Sequence, residues 1–68
     1  MSWTKTKNGY AYYGNKLTMS IIKKGSYTLR SFRIENKTQQ AFDFKTLEQA
    51  MNQGEKEWAK YELKGEFK

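Results

Sequence analysis

Two arginines and a run of lysines set among tyrosines are the residues of this chain best suited to chemistry. Lys16, Lys23, Lys24, Arg30, Arg33 and Lys37 fall close together in the sequence, with Tyr10, Tyr12, Tyr13 and Tyr27 interleaved. Ammonium and guanidinium groups neutralise phosphates and release their counterions. A guanidinium also makes paired contacts with guanine edges in a major groove, and a tyrosine ring stacks on unpaired bases. The residues expected to bind nucleic acid are therefore Lys16, Lys23, Lys24, Arg30, Arg33, Lys37, Tyr12 and Tyr27, with the two arginines foremost. A plainer role stays open. The lysines also suit solvated charges that guard strand edges, and the tyrosines suit core aromatics with wet hydroxyls.

Catalysis has little to draw on. The chain has no cysteine and no histidine, so the usual nucleophile, general base and soft metal ligands are missing. Glu35 and Asp43 are not evidently paired, and Gly9, Gly14 and Gly25 sit in turns without making a phosphate-cradling loop. The expectation is a protein that is not an enzyme, with no cofactor and no metal.

Charge is uneven along the chain. Up to Lys45 there are nine basic and two acidic residues, and from Thr46 onward four basic and five acidic, so +7 is followed by −1 within a total of +6. A field of this kind attracts polyanions and speeds their encounter. The 68 residues make a single domain. A chain this short buries only about 60% of its unfolded surface, and 11 aromatic residues (two Trp, five Tyr, four Phe) are its compensation. No apolar run approaches the roughly 18 residues of a membrane span. The N-terminus lacks the apolar core of a signal peptide, and a cytoplasmic location is expected.

The elements that must position these side chains follow from periodicity. Tyr10 to Tyr13 reads as a strand by its aromatics; Asn8-Gly9, suited to a type I′ turn, either links a short strand before it or simply starts it. In Lys16 to Lys24, Leu17, Met19 and Ile21 alternate with polar residues and should face a core. Gly25-Ser26 makes the next turn. Tyr27 to Glu35 is strand-like, but Tyr27 and Leu29 share one face while Phe32 and Ile34 share the other. A bulge near Arg30-Ser31 would reset the phase; without it, Tyr27 would be left on the outer face. After a turn at Asn36-Lys37, Thr38 to Phe44 forms a short strand. Thr46 and Gln49 fit a capping box. Leu47, Ala50, Met51, Gly54, Trp58 and Tyr61 then make an apolar stripe at helical spacing, with Gly54 requiring a close crossing or a small break. Residues 63–68 lose the period and read as a tail. Trp3 is expected over an open end of the core, Trp58 within it, and Gln39, Gln40 and Gln53 at the surface. The fold class is α+β: a three- or four-stranded antiparallel meander with one C-terminal helix packed on one face.

The stretch Phe42-Asp43-Phe44-Lys45-Thr46-Leu47-Glu48-Gln49-Ala50 resembles the close of the AP2/integrase-type DNA-binding domain, whose sheet ends in an aromatic, a Thr or Ser cap and an acidic-then-Ala helix start. Small phage-encoded proteins of unknown role show a similar ending. The likeness covers under a fifth of the chain, and the arginines and tryptophan of that family's sheet are not matched. It implies a three-stranded sheet backed by a helix, with a sheet face able to enter a DNA groove. The expectation is thus a small protein that binds nucleic acid, duplex DNA foremost, through the basic, aromatic outer face of its sheet. The alternative is a phage-type accessory or inhibitor protein that holds a host protein through that face, with a homodimer as a further arrangement.

Overall fold

In the computed structural model of the chain, which describes residues 1–64, five strands precede one helix. The strands are β1 (Thr4–Lys5), β2 (Gly9–Tyr13), β3 (Leu17–Lys24), β4 (Ser26–Arg33) and β5 (Thr38–Phe44), and they pair antiparallel in the order β1-β2-β3-β4-β5. Short loops allow nothing else, because each strand must return beside the one before it. The architecture is the expected α+β meander with a C-terminal helix. The extra strand is β1, a two-residue pairing in which Thr4 faces Ala11 and Lys5 faces Tyr10. Its polar sequence gives it no periodicity to read.

Helix α1 (Leu47–Trp58) starts where its cap predicts. Thr46 Oγ1 accepts from the Gln49 backbone N–H at 3.2 Å. The Gln49 side chain returns to the Lys45 N–H at 3.3 Å, one residue earlier than a regular capping box. The helix packs on β3, β4 and β5 and closes the core around Leu17, Met19, Ile21, Leu29, Ala50 and Tyr61. Each large apolar side chain buried there contributes about 1.5–3 kcal/mol. Trp58 packs against this core, and its Nε1 donates to the Tyr12 hydroxyl at 3.1 Å.

Gly54 does not break the helix. It is buried, and a Cβ placed on it would lie 2.5 and 2.6 Å from ring carbons of Trp3. The glycine makes room for the indole of Trp3, which covers the end of the core as expected. Gly9 serves a strand rather than a turn: it opens β2, and a Cβ there would strike the Ile21 carbonyl. Only Lys37 and Gly25 have positive φ among the described residues, so Asn8-Gly9 is no type I′ turn.

After Trp58 the chain makes a π-helical turn, Ala59–Leu63, with the Lys64 N–H bonded to the Ala59 carbonyl at 3.1 Å. Such widened turns occur where a side chain must be re-aimed. This turn places the Tyr61 ring in the core. It also sets the Glu62 carboxylate against the N–H groups of Lys16 and Leu17, at 2.6 and 2.7 Å, which pins the start of β3. Leu63, the first residue of the expected tail, is exposed at the end of that turn, and residues 65–68 lie outside the described residues.

Candidate nucleic-acid interface

The parity of β3 and β4 decides what each face of the sheet carries. β4 pairs without interruption from Ser26 to Arg33 on its β3 side and from Tyr27 to Arg33 on its β5 side, so the expected bulge at Arg30-Ser31 is absent. Leu29 sits opposite Ile21 and Phe42 and is buried, which turns Tyr27, Ser31 and Arg33 toward the helix as well. Phe32 is the aromatic sent outward, and Ile34, just past the strand, is also exposed.

The outer face therefore reads as rows across the strands. One row runs Tyr13, Thr18, Phe32, Gln39, and the next runs Thr4, Ala11, Ser20, Arg30, Ala41. Tyr13 is 76% exposed and Phe32 37% exposed. Small residues flank Arg30 within its row, so its guanidinium stands over a shallow valley beside two aromatic rings. A groove of about 250 Å³ is lined by Tyr13, Thr18, Ser20, Arg30, Phe32 and Gln39. Arg30 also lines a smaller hollow of about 70 Å³ with Ile22, Lys24 and Thr28. From the aromatic row to Lys24 the track spans six residues of β3, or about 20 Å at strand rise. Among the described residues the carboxylate on this face is Asp43, which accepts from the Thr28 hydroxyl at 2.6 Å.

The expected binding residues do not form one surface. Arg30 and Lys24 belong to the outer track. Lys16 lies in the β2–β3 turn and Lys37 in the β4–β5 turn, both exposed, at the end of the sheet away from Lys24. Lys23 and Tyr27 lie on the helix side, with the Lys23 ammonium 5.7 Å from the Tyr27 ring centroid. Tyr12 is a correction: its hydroxyl receives the Trp58 indole N–H, and its ring packs on the core.

Arg33 is the larger correction. It is 3% exposed and faces the helix. Its guanidinium lies 4.3 Å from the Tyr61 ring centroid, donates to Gln40 Oε1 at 2.6 Å, and stands 3.9 Å from Glu57. Glu57 in turn accepts from Ser31 Oγ at 3.4 Å and from Gln53 Nε2 at 3.3 Å. A charge taken out of water needs this company, since an isolated buried ion is prohibitively costly. Gln40 is exposed, as expected, and Gln53 is half-buried; each lends its side-chain amide to that cluster. Arg33 is thus part of the fold's interior and is withdrawn from the interface.

Tyr13 and Phe32 are the exposed aromatics of the outer face that the residue types alone did not single out. The signal was present. Assigning Leu29 and Ile21 to one core fixes β4 without a bulge, and continuing the alternation sends Phe32 out. Tyr10 and Tyr12, opposite Ile21 and Met19, likewise leave Tyr13 outside. No family model, curated protein or solved structure matches the chain.

Proposed function

We propose that this chain is a small nucleic-acid-binding module that takes unpaired strands on the outer face of its sheet. The observation that carries the reading is the exposed pair Tyr13 and Phe32 beside Arg30 along one open groove. Base stacking on exposed rings is worth about 1–3 kcal/mol per base and tolerates any sequence. A paired duplex hides its base faces, so outward rings gain nothing from stacking there. Duplex reading would need several long cations on this face, and the outer track offers Arg30 and Lys24. The net charge of +6 supplies the long-range attraction. The resemblance to AP2/integrase-type domains rests on the strand-to-helix junction and points to the same face, with a duplex as ligand.

The test is fluorescence anisotropy with an unstructured oligonucleotide and with its duplex, each at low and physiological salt. The single strand should bind more tightly, and its log affinity should fall with log salt at about −0.7 per phosphate contacted. Replacing Tyr13 and Phe32 together by serine should cost at least tenfold in affinity. Tighter binding of the duplex would restore the groove-reading alternative. No binding of either form at low salt would sink the nucleic-acid reading.

A second reading is favoured by the modest charge of the face itself. Lys24 and Arg30 against Asp43 leave +1, while Tyr13, Ile22 and Phe32 supply apolar area. A host-protein partner, or a second copy of this chain, would use the same rings. Light scattering at twice the monomer mass, lost on the Tyr13 and Phe32 double replacement, would mark the homodimer.

A further inference from the structure

On the helix side of the sheet, the β1–β2 loop and the ends of β2, β3 and β4 surround an open cleft of about 410 Å³. Lys5, Lys7 and Lys23 line it together with Tyr10, Tyr27 and Ile21, and among the described residues no aspartate or glutamate does. The register explains the grouping. Lys5 sits opposite Tyr10 across β1 and β2, and Lys23 sits opposite Tyr27 across β3 and β4. Both pairs point to the helix side in neighbouring rows. Each ammonium lies 5.7 Å from its tyrosine's ring centroid. A ring face attracts a cation, which helps hold the lysines at the cleft in place of extending into water. Three like charges gathered without a lining carboxylate repel one another, and an anion seated between them relieves that repulsion.

We propose that this cleft is a second, separate site and that it binds a nucleoside phosphate, either free or as the phosphorylated end of a strand. A phosphate monoester carries close to two negative charges and three acceptor oxygens, enough to engage more than one ammonium at once. The tyrosine rings and the Ile21 side chain suit a flat, partly apolar body such as a nucleobase. The volume falls within the range of small-ligand sites, about 300–1,000 Å³. The site uses neither Arg30 nor Phe32, so it stands or falls apart from the outer-face reading.

The experiment is an amide NMR titration of the full chain with adenosine 5′-monophosphate, adenosine and inorganic phosphate. Saturating shifts with the monophosphate should centre on residues 5–10, 21–23 and 27. Adenosine and inorganic phosphate should each bind at least tenfold more weakly. The double replacement Lys5→Gln with Lys23→Gln should abolish the shifts, and Arg30→Ala should leave them unchanged. Two oligonucleotide arms separate the ligand's source. A 5′-phosphorylated strand that binds more tightly than both its unphosphorylated twin and the free monophosphate marks a strand end; equal affinity for strand and monophosphate marks a free nucleotide. The proposal is overturned by shifts spread over all lysines without saturation. It is equally overturned if adenosine or inorganic phosphate matches the monophosphate, or if the double variant binds as well as the parent.

Discussion

β4 carries one arginine to each face of the sheet, and the two faces use it in opposite ways. Arg30 is exposed, stands among small residues and borders two hollows. Arg33, three residues on, is buried against Tyr61 and held by Gln40 and Glu57. Residue type and local sequence do not separate them; strand parity does. Parity itself is set by Leu29, whose burial opposite Ile21 fixes every other side chain of the strand. A cation on the outer side is free to meet a ligand. The same cation on the inner side must be answered by the protein, and the answering groups come from β4, β5, α1 and the π turn.

The sharpest way to break this contrast is to truncate each arginine in turn. Arg33→Ala leaves Glu57 buried without its cation, and losing one partner of a buried pair costs about 3–5 kcal/mol. In a domain of this size that lowers the melting temperature by more than about 12 °C. Arg30→Ala should change stability by no more than about 0.5 kcal/mol while weakening oligonucleotide binding. Thermal unfolding followed by circular dichroism decides it, and equal stability losses for both would end the distinction. A paired replacement, Arg33→Met with Glu57→Leu, should recover most of the stability, because a well-packed apolar pair often matches a buried ion pair.

The next effect concerns the helix side alone. Gly54→Ala gains about 1 kcal/mol of helix propensity but drives a methyl group into the Trp3 ring. Overpacking costs about 1–3 kcal/mol, so the net change should be a loss of about 1 kcal/mol with altered tryptophan fluorescence. Asn52→Ala on the exposed side of the same helix should be stabilising instead. If Gly54→Ala also stabilises, Trp3 does not lie where the structure puts it.

What could be read from the sequence divides along the same line. The meander, the cap at Thr46, the inward set Leu17, Met19 and Ile21, and the stripe from Leu47 to Tyr61 follow from periodicity and turn chemistry, and all are present. The inner polar cluster was hidden because Ser31, Arg33 and Glu57 are polar by type, and polarity alone argues for the surface. Their burial depends on one another, so no single position announces it. β1 was legible only as one of two readings of Asn8-Gly9, because two polar residues have no period to decide between them. The π turn leaves no trace in an apolar pattern that it merely shifts. On the outer face the groove was legible in principle, but taking Phe32 and Ile34 as core-facing left either a bulge or an outward Tyr27, where the structure sends Phe32 outward instead.

Tyr12 and Tyr13 offer a finer test, since adjacent tyrosines face opposite ways. Tyr12→Phe removes the acceptor of the Trp58 N–H, a loss of about 1 kcal/mol in stability, with oligonucleotide affinity unchanged. Tyr13→Ser should do the reverse: little change in melting temperature and a loss of affinity of about five- to tenfold, as one stacking ring goes. If Tyr12→Phe lowers affinity as much as Tyr13→Ser does, the parity of β2 has no bearing on binding.

The smallest expected effect lies at the far end of the outer track. Lys24 is the last residue of β3, and it shares a hollow with Arg30 through Ile22 and Thr28. A strand lying along the groove from Phe32 past Arg30 brings a phosphate to that ammonium; a strand crossing the sheet at the aromatic row does not. Lys24→Gln separates these paths without touching the core. On the first path the slope of log affinity against log salt becomes shallower by about 0.7, with a loss of a fewfold in affinity at low salt. On the second the slope is unchanged. Lys37→Gln, at the opposite end of the sheet, is the matched control: a shallower slope there and none for Lys24→Gln would turn the bound strand around, toward the β4–β5 turn.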